Sequence, residues 1–178
     1  MNVLPKIKLW KPILTFILFG VLALWLLNTF TTGNPMWFLP IQPSYAPNQI
    51  IVRNFGEEIT LQPDELAFQR IADGVDQSLA RFNNRALIDI GLGESTLQDY
   101  QTDALVVEVY YPTTIRFNLP IRMNRVNQLL FPMQGRHADT NYVFMGYNGT
   151  WLVGALQVST AQPLEDALRE VGYWQDSE

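Results

Sequence analysis

The sequence predicts an α+β protein: a single N-terminal transmembrane helix, then a small domain with an antiparallel sheet covered by helices on one face. Three observations carry this expectation. Residues 12–52 hold no charged side chain, and within 12–30 only Thr15, Asn28 and Thr29 are polar. Beyond Arg53 the pattern changes to short runs of apolar and polar alternation separated by turn residues, which is strand periodicity. Amphipathic helical patterns stand before and after those runs and supply the covering layer.

A helix over 12–30 rises ~1.5 Å per residue and so reaches roughly 28 Å, the thickness of a hydrocarbon core. Pro12 stands where a missing N–H costs little, and Trp10, Trp25 and the later Trp37 are the residues expected at the two membrane interfaces. Lys6, Lys8 and Lys11 precede the span and no charge follows it until Arg53. The positive-inside rule then places the tail 1–11 in the cytoplasm and the domain 50–178 outside it. Residues 28–33 lack a small-x-small cleavage site, so the reading is an uncleaved signal anchor in the cell membrane, single-pass, touching lipid through residues 12–30.

The linker 31–49 carries Pro35, Pro40, Pro43 and Pro47 and is not expected to be helical. Its apolar cluster Met36-Trp37-Phe38-Leu39 is expected to rest on the outer membrane interface or on the domain, with docking to a partner subunit as the alternative.

In the domain, 50–52 and 59–61 read as strands around the turn Asn54-Phe55-Gly56. A helix opened by Pro63-Asp64-Glu65 follows, with Phe68, Ile71, Val75, Leu79 and Phe82 on one stripe. Residues 86–93 read as a connector or short strand. Ser95 and Gln98 match a capping box for a short helix through Tyr100. The strand 104–111 alternates, with Leu105, Val107, Val109 and Tyr111 opposite Val106, Glu108 and Tyr110. Further strands are expected at 114–118, 126–133, 141–147 and 151–159, the last two joined by Asn148-Gly149 as a hairpin. A final helix, 163–171, turns Leu164, Ala167, Leu168 and Val171 inward. Segments 59–74 and 156–172 share the order strand, proline-acidic opening, amphipathic helix, a faint internal repeat.

Charge narrows the function classes. All three Lys lie before the span, whereas nine Arg and 17 acidic residues lie from Arg53 onward, a net charge of −8. Such a domain matches neither the phosphate backbone of nucleic acid nor an anionic leaflet as a whole. No cysteine is present, which removes disulfides, thiol nucleophiles and Cys-ligated metals. His137 is the only histidine, too few nitrogen ligands for a metal site, and no cofactor is expected. Gly91-Leu92-Gly93-Glu94-Ser95 approaches a phosphate loop or a nucleophile elbow but lacks the glycines and lysine either needs. No catalytic residue is assigned. The feature that stands out is 113–138, which holds Arg116, Arg122, Arg125 and Arg136 and no acid. Guanidinium groups gathered there, with His137 beside them, suit a carboxylate, a phosphate or an acidic partner. The expected function is therefore an accessory or binding protein of the envelope, in contact with an integral-membrane complex. The alternatives are a single-pass sensor or regulator, and a hydrolase built from Ser and carboxylates.

Overall fold

The computed structural model describes residues 10–83 and 86–175. Helix α1 (Trp10–Thr32) is followed by β1 (Gln49–Asn54), β2 (Glu57–Leu61), α2 (Leu66–Ser78), α3 (Glu94–Thr102), β3 (Leu105–Ile115), β4 (Val126–Gln134), a 3-10 turn (Ala138–Thr140), β5 (Tyr142–Tyr147), β6 (Thr150–Gln157) and α4 (Gln162–Glu170). The six strands form one antiparallel sheet in the order β2-β1-β3-β4-β5-β6. Most of the tail 1–11, including Lys6 and Lys8, lies outside the described residues, as does the C-terminal end of the domain, 176–178.

Local chemistry explains the turns. Asn54 pairs with Glu57 and Tyr147 with Thr150, so each hairpin closes over two residues, Phe55-Gly56 and Asn148-Gly149. All four have positive φ, the conformation whose twist matches paired strands. Where the sequence reading had two strands, 104–111 and 114–118, the chain makes one, β3. Pro112 is tolerated because β1 ends opposite Tyr110 and the β3–β4 register shifts between Tyr110 and Ile115, so its missing N–H breaks no ladder bond.

The edge strands β2 and β6 each lead into a helix, α2 and α4, and these two helices pack on each other over one face of the sheet. Phe68, Ile71, Val75 and Leu79 of the α2 segment and Leu164 and Leu168 of α4 are buried with Ile50, Val107, Leu129, Val143 and Leu156 from the strands. The helices approach at Gly74, where an added Cβ would lie 2.8 Å from the Pro163 carbonyl oxygen and 3.0 Å from the Ala167 Cβ. A smaller cluster fills part of the opposite face: Tyr100 from α3 meets Val106, Leu130, Phe144 and Ala155, with Ile88, Ile90 and Leu92 packed beside them. The α+β class and its antiparallel sheet are as the periodicity required.

Three local expectations need correction. The capping box at Ser95 does not form: Gly93 is the N-cap residue of α3 and Ser95 lies inside the first turn. Extended backbone at Gly93 starts the helix two residues earlier, with Leu97 N–H donating to the Gly93 carbonyl at 3.0 Å. Similarly, Pro63, Asp64 and Glu65 precede α2 rather than open it, and Glu65 folds its carboxylate back onto the Gln62 N–H at 2.8 Å. Phe82 lies beyond that helix, in a bridge to Val158.

Candidate functional site

The arginines of 113–138 take their places from the β3–β4 hairpin. Ile115 pairs with Val126 at one end and Leu105 with Gln134 at the other. Arg116, Arg122 and Arg125 therefore share the connecting loop, residues 116–125, and all three are exposed. Arg136 follows Gln134 at the far end, ten strand positions or about 30 Å away. There it pairs with Asp99 of α3 at 3.0 Å. Among the described residues no ion pair involves Arg116, Arg122 or Arg125.

That loop lies against the end of α1. Helix α1 stops at Gly33, whose φ of +68° and N–H bond to the Thr29 carbonyl form a left-handed cap. The Arg116 guanidinium donates to the Gly33 carbonyl, a cation at the negative end of the helix. Asn34 is buried; its amide donates to the Phe117 carbonyl at 3.0 Å and to Asn118 Oδ1 at 3.2 Å, while its own Oδ1 accepts from Met36 N–H at 2.9 Å. Gln42 then pairs with the Asn118 backbone like a strand neighbour, donating to its carbonyl at 3.2 Å and accepting from its N–H at 2.7 Å. Tyr45 does the same for Arg116: its hydroxyl donates to the carbonyl at 2.7 Å and accepts from the N–H at 3.1 Å. Three linker side chains thus grip the loop's main chain, and the connection is a joint rather than a tether.

The apolar linker cluster lies beside the end of α1. Residues 35–38 turn back along α1, and Trp25 Nε1 donates to the Pro35 carbonyl at 3.0 Å. Trp37 and Phe38 line, with Leu18, Val21, Leu22, Leu24 and Trp25, a wholly apolar groove of about 380 Å³. Met36, Phe38, Leu39 and Ile41 remain exposed around the helix exit. Trp10 stands at the other end of α1, also exposed. Among the described residues α1 is the one helix long and apolar enough to cross a membrane, and its apolar stretch is unburied.

His137 belongs to a different place. Its ring lies among Tyr100, Tyr142 and Phe144, and Nδ1 is 2.7 Å from the Tyr100 hydroxyl. Burial holds the Tyr100 phenol well above its ordinary range, so it keeps its proton, and the imidazole tautomer sets which of the two groups donates. Burial and the adjacent Arg136 charge hold His137 below its ordinary value of 6.5. No carboxylate takes a hydrogen bond from the ring among the described residues, and no group of three or more His, Asp or Glu stands together to hold a metal ion.

Sequence reasoning missed two groups. One is the joint itself, of which only Gly33-Asn34-Pro35 left a sign, as a helix stop and turn. The other is on the second face of the sheet, where Glu108 is buried and accepts from Arg53 Nε at 2.8 Å and from the Tyr110 hydroxyl at 2.5 Å. Arg53 also reaches Glu58. The signal available was a lone carboxylate in the apolar run Leu105 to Tyr111, which has to be paired when buried. No family model, curated protein or solved structure matches the chain.

Proposed function

We propose that the protein is a single-pass membrane protein, N-terminus in the cytoplasm, whose extracytoplasmic domain is a non-catalytic accessory or binding module presenting the loop 116–125 to an anionic group. The observation that carries this reading is the joint. Within the span Trp25 is bonded to the linker at Pro35, and the residues at its exit, Gly33 and Asn34, are tied to the β3–β4 loop, which favours a span kept with the domain. An enzyme domain acting on soluble substrate needs only a leash, whereas a subunit that must present one face at a set height gains from a fixed connection. Three exposed arginines, without acidic partners among the described residues, supply a surface for forked hydrogen bonds. The same joint favours a second reading, a single-pass sensor or regulator, because a displacement of the domain is carried directly into α1. The hydrolase alternative has less support: His137 is engaged with Tyr100 and aromatic rings rather than with a nucleophile.

The test is purification of the intact protein in mild detergent, with a C-terminal topology reporter in parallel. Activity of a reporter that works only outside the cytoplasm, and co-purifying membrane subunits or lipid, are expected. Recovery as a soluble protein starting near Gly33 rejects the anchor, and turnover abolished by His137→Ala rejects the non-catalytic class.

A further inference from the structure

We infer that the anionic group met by Arg116, Arg122 and Arg125 is the phosphate of anionic lipid headgroups in the bilayer that α1 crosses, so that the loop 116–125 and the exposed linker residues Met36, Phe38, Leu39 and Ile41 form one membrane-docking rim. The inference rests on the anchor reading and adds the identity of the binding partner.

Height is the first argument. Helix α1 has 23 residues, about 35 Å at 1.5 Å each, against a hydrocarbon core of about 30 Å. With Lys11 at one boundary, Thr32 and Gly33 fall at the other, and the headgroup layer adds roughly 5–7 Å beyond it. Arg116 donates to the carbonyl of Gly33, which fixes its guanidinium in that layer. Arg122 and Arg125 belong to the same loop.

The second argument is the pairing of chemistries. Around the exit of an apolar helix stand exposed apolar side chains and, on the loop bonded to that exit, exposed guanidinium groups. Apolar groups favour the acyl boundary and arginines favour phosphate a few ångströms higher. A water-facing surface gives no reason for both.

The third argument is the distribution of charge. A net −8 predicts repulsion from anionic lipid, but the acids are not spread evenly. None occurs before Glu57, none in 77–88 and none in 109–138, the stretches that supply the linker, the Arg81 groove wall and the loop. Arg81 shares a groove with Leu39, Pro40, Ile41 and Asn118 and adds a fourth exposed cation beside the joint. Asp73 and Asp76 border the linker only further along, at residues 44–47. With a screening length of about 8 Å in physiological salt, it is the local basic rim, not the average, that a headgroup meets.

The experiment places the full-length protein in nanodiscs of phosphatidylcholine alone, or with roughly one-third phosphatidylglycerol, and reads hydrogen exchange of 116–125 and the phosphatidylglycerol retained around the protein. Slower exchange in the anionic discs is expected, reversed by high salt. Arg122→Ala with Arg125→Ala should reduce phosphatidylglycerol retention by roughly ten-fold or more, at about five-fold for each arginine near the surface. Arg70→Ala, which removes one guanidinium on α2 outside the loop, should leave it unaltered. Equal exchange in both discs, or equal retention by the double variant, overturns the inference. Extraction of the wild-type protein by alkaline carbonate would instead overturn the anchor.

Discussion

The side-chain amide of Asn34 donates to the main-chain carbonyl of Phe117 at 3.0 Å, across 83 residues of sequence. A buried bond of this kind, one residue beyond the cap of α1, binds the helix to the central hairpin of the sheet. Asn34→Ala combined with Gln42→Ala removes side-chain bonds worth about 1 kcal/mol each, while the Phe117 carbonyl keeps its bond from the Leu119 N–H. The expected outcome is faster proteolysis within 33–48 and a broadened distance distribution between spin labels on α1 and the sheet. The domain itself, whose core lies elsewhere, should melt within a few degrees of the wild type.

Gly74 lies where α2 packs closely on α4. In an open helix alanine would be favoured by about 1 kcal/mol, but here its methyl meets the Pro163 backbone at 2.8 Å. Gly74→Ala should therefore destabilise the domain by roughly 1–3 kcal/mol, read from chemical denaturation. Gly20→Ala, where nothing lies within 4 Å, should change neither folding nor helix content.

Glu108 is paired with Arg53 on the second face of the sheet. Arg53→Ala leaves a buried carboxylate held only by Tyr110 and should cost about 3 kcal/mol. Glu108→Gln keeps a hydrogen-bond acceptor for the Tyr110 hydroxyl and removes the charge, so it should cost less. Denaturation midpoints in that reverse order would show that the ion pair contributes little.

His137 gives the domain a signed pH dependence. Its folded-state pKa lies below the ordinary 6.5, so between those values the unfolded chain binds the extra proton. Its contribution to stability is complete above 6.5 and is lost as pH falls through the depressed folded value. His137→Asn, which tolerates the left-handed backbone at this position (φ +67°), should flatten the fall in melting temperature between neutral and mildly acidic pH. An unchanged slope would assign it to the carboxylates.

What could be read from the sequence follows from how each feature is encoded. Alternation in 104–111 gave both faces of β3, and Asn148-Gly149 gave the last hairpin, because side-chain period and turn chemistry are local. Pro112 divided one strand into two, since nothing local says that β1 has already ended opposite Tyr110. The arginine run was visible but its grouping was not. A hairpin brings together positions symmetric about its turn, so Arg116 and Arg125 flank the Ile115–Val126 pair while Arg136 goes to the far end. Side-chain bonds to distant main chain, such as Gln42 with Asn118, leave no period and no compositional trace.

On the proposed anchoring, the joint between α1 and the sheet also turns bilayer thickness into an angle. A helix about 35 Å long in a thinner hydrocarbon layer relieves the excess by tilting. A flexible linker would absorb that tilt and leave the domain upright. With Asn34, Gln42, Tyr45 and Arg116 spanning the connection, the sheet leans with the helix, and its distal end, where Arg136 and His137 stand, sweeps through the larger arc.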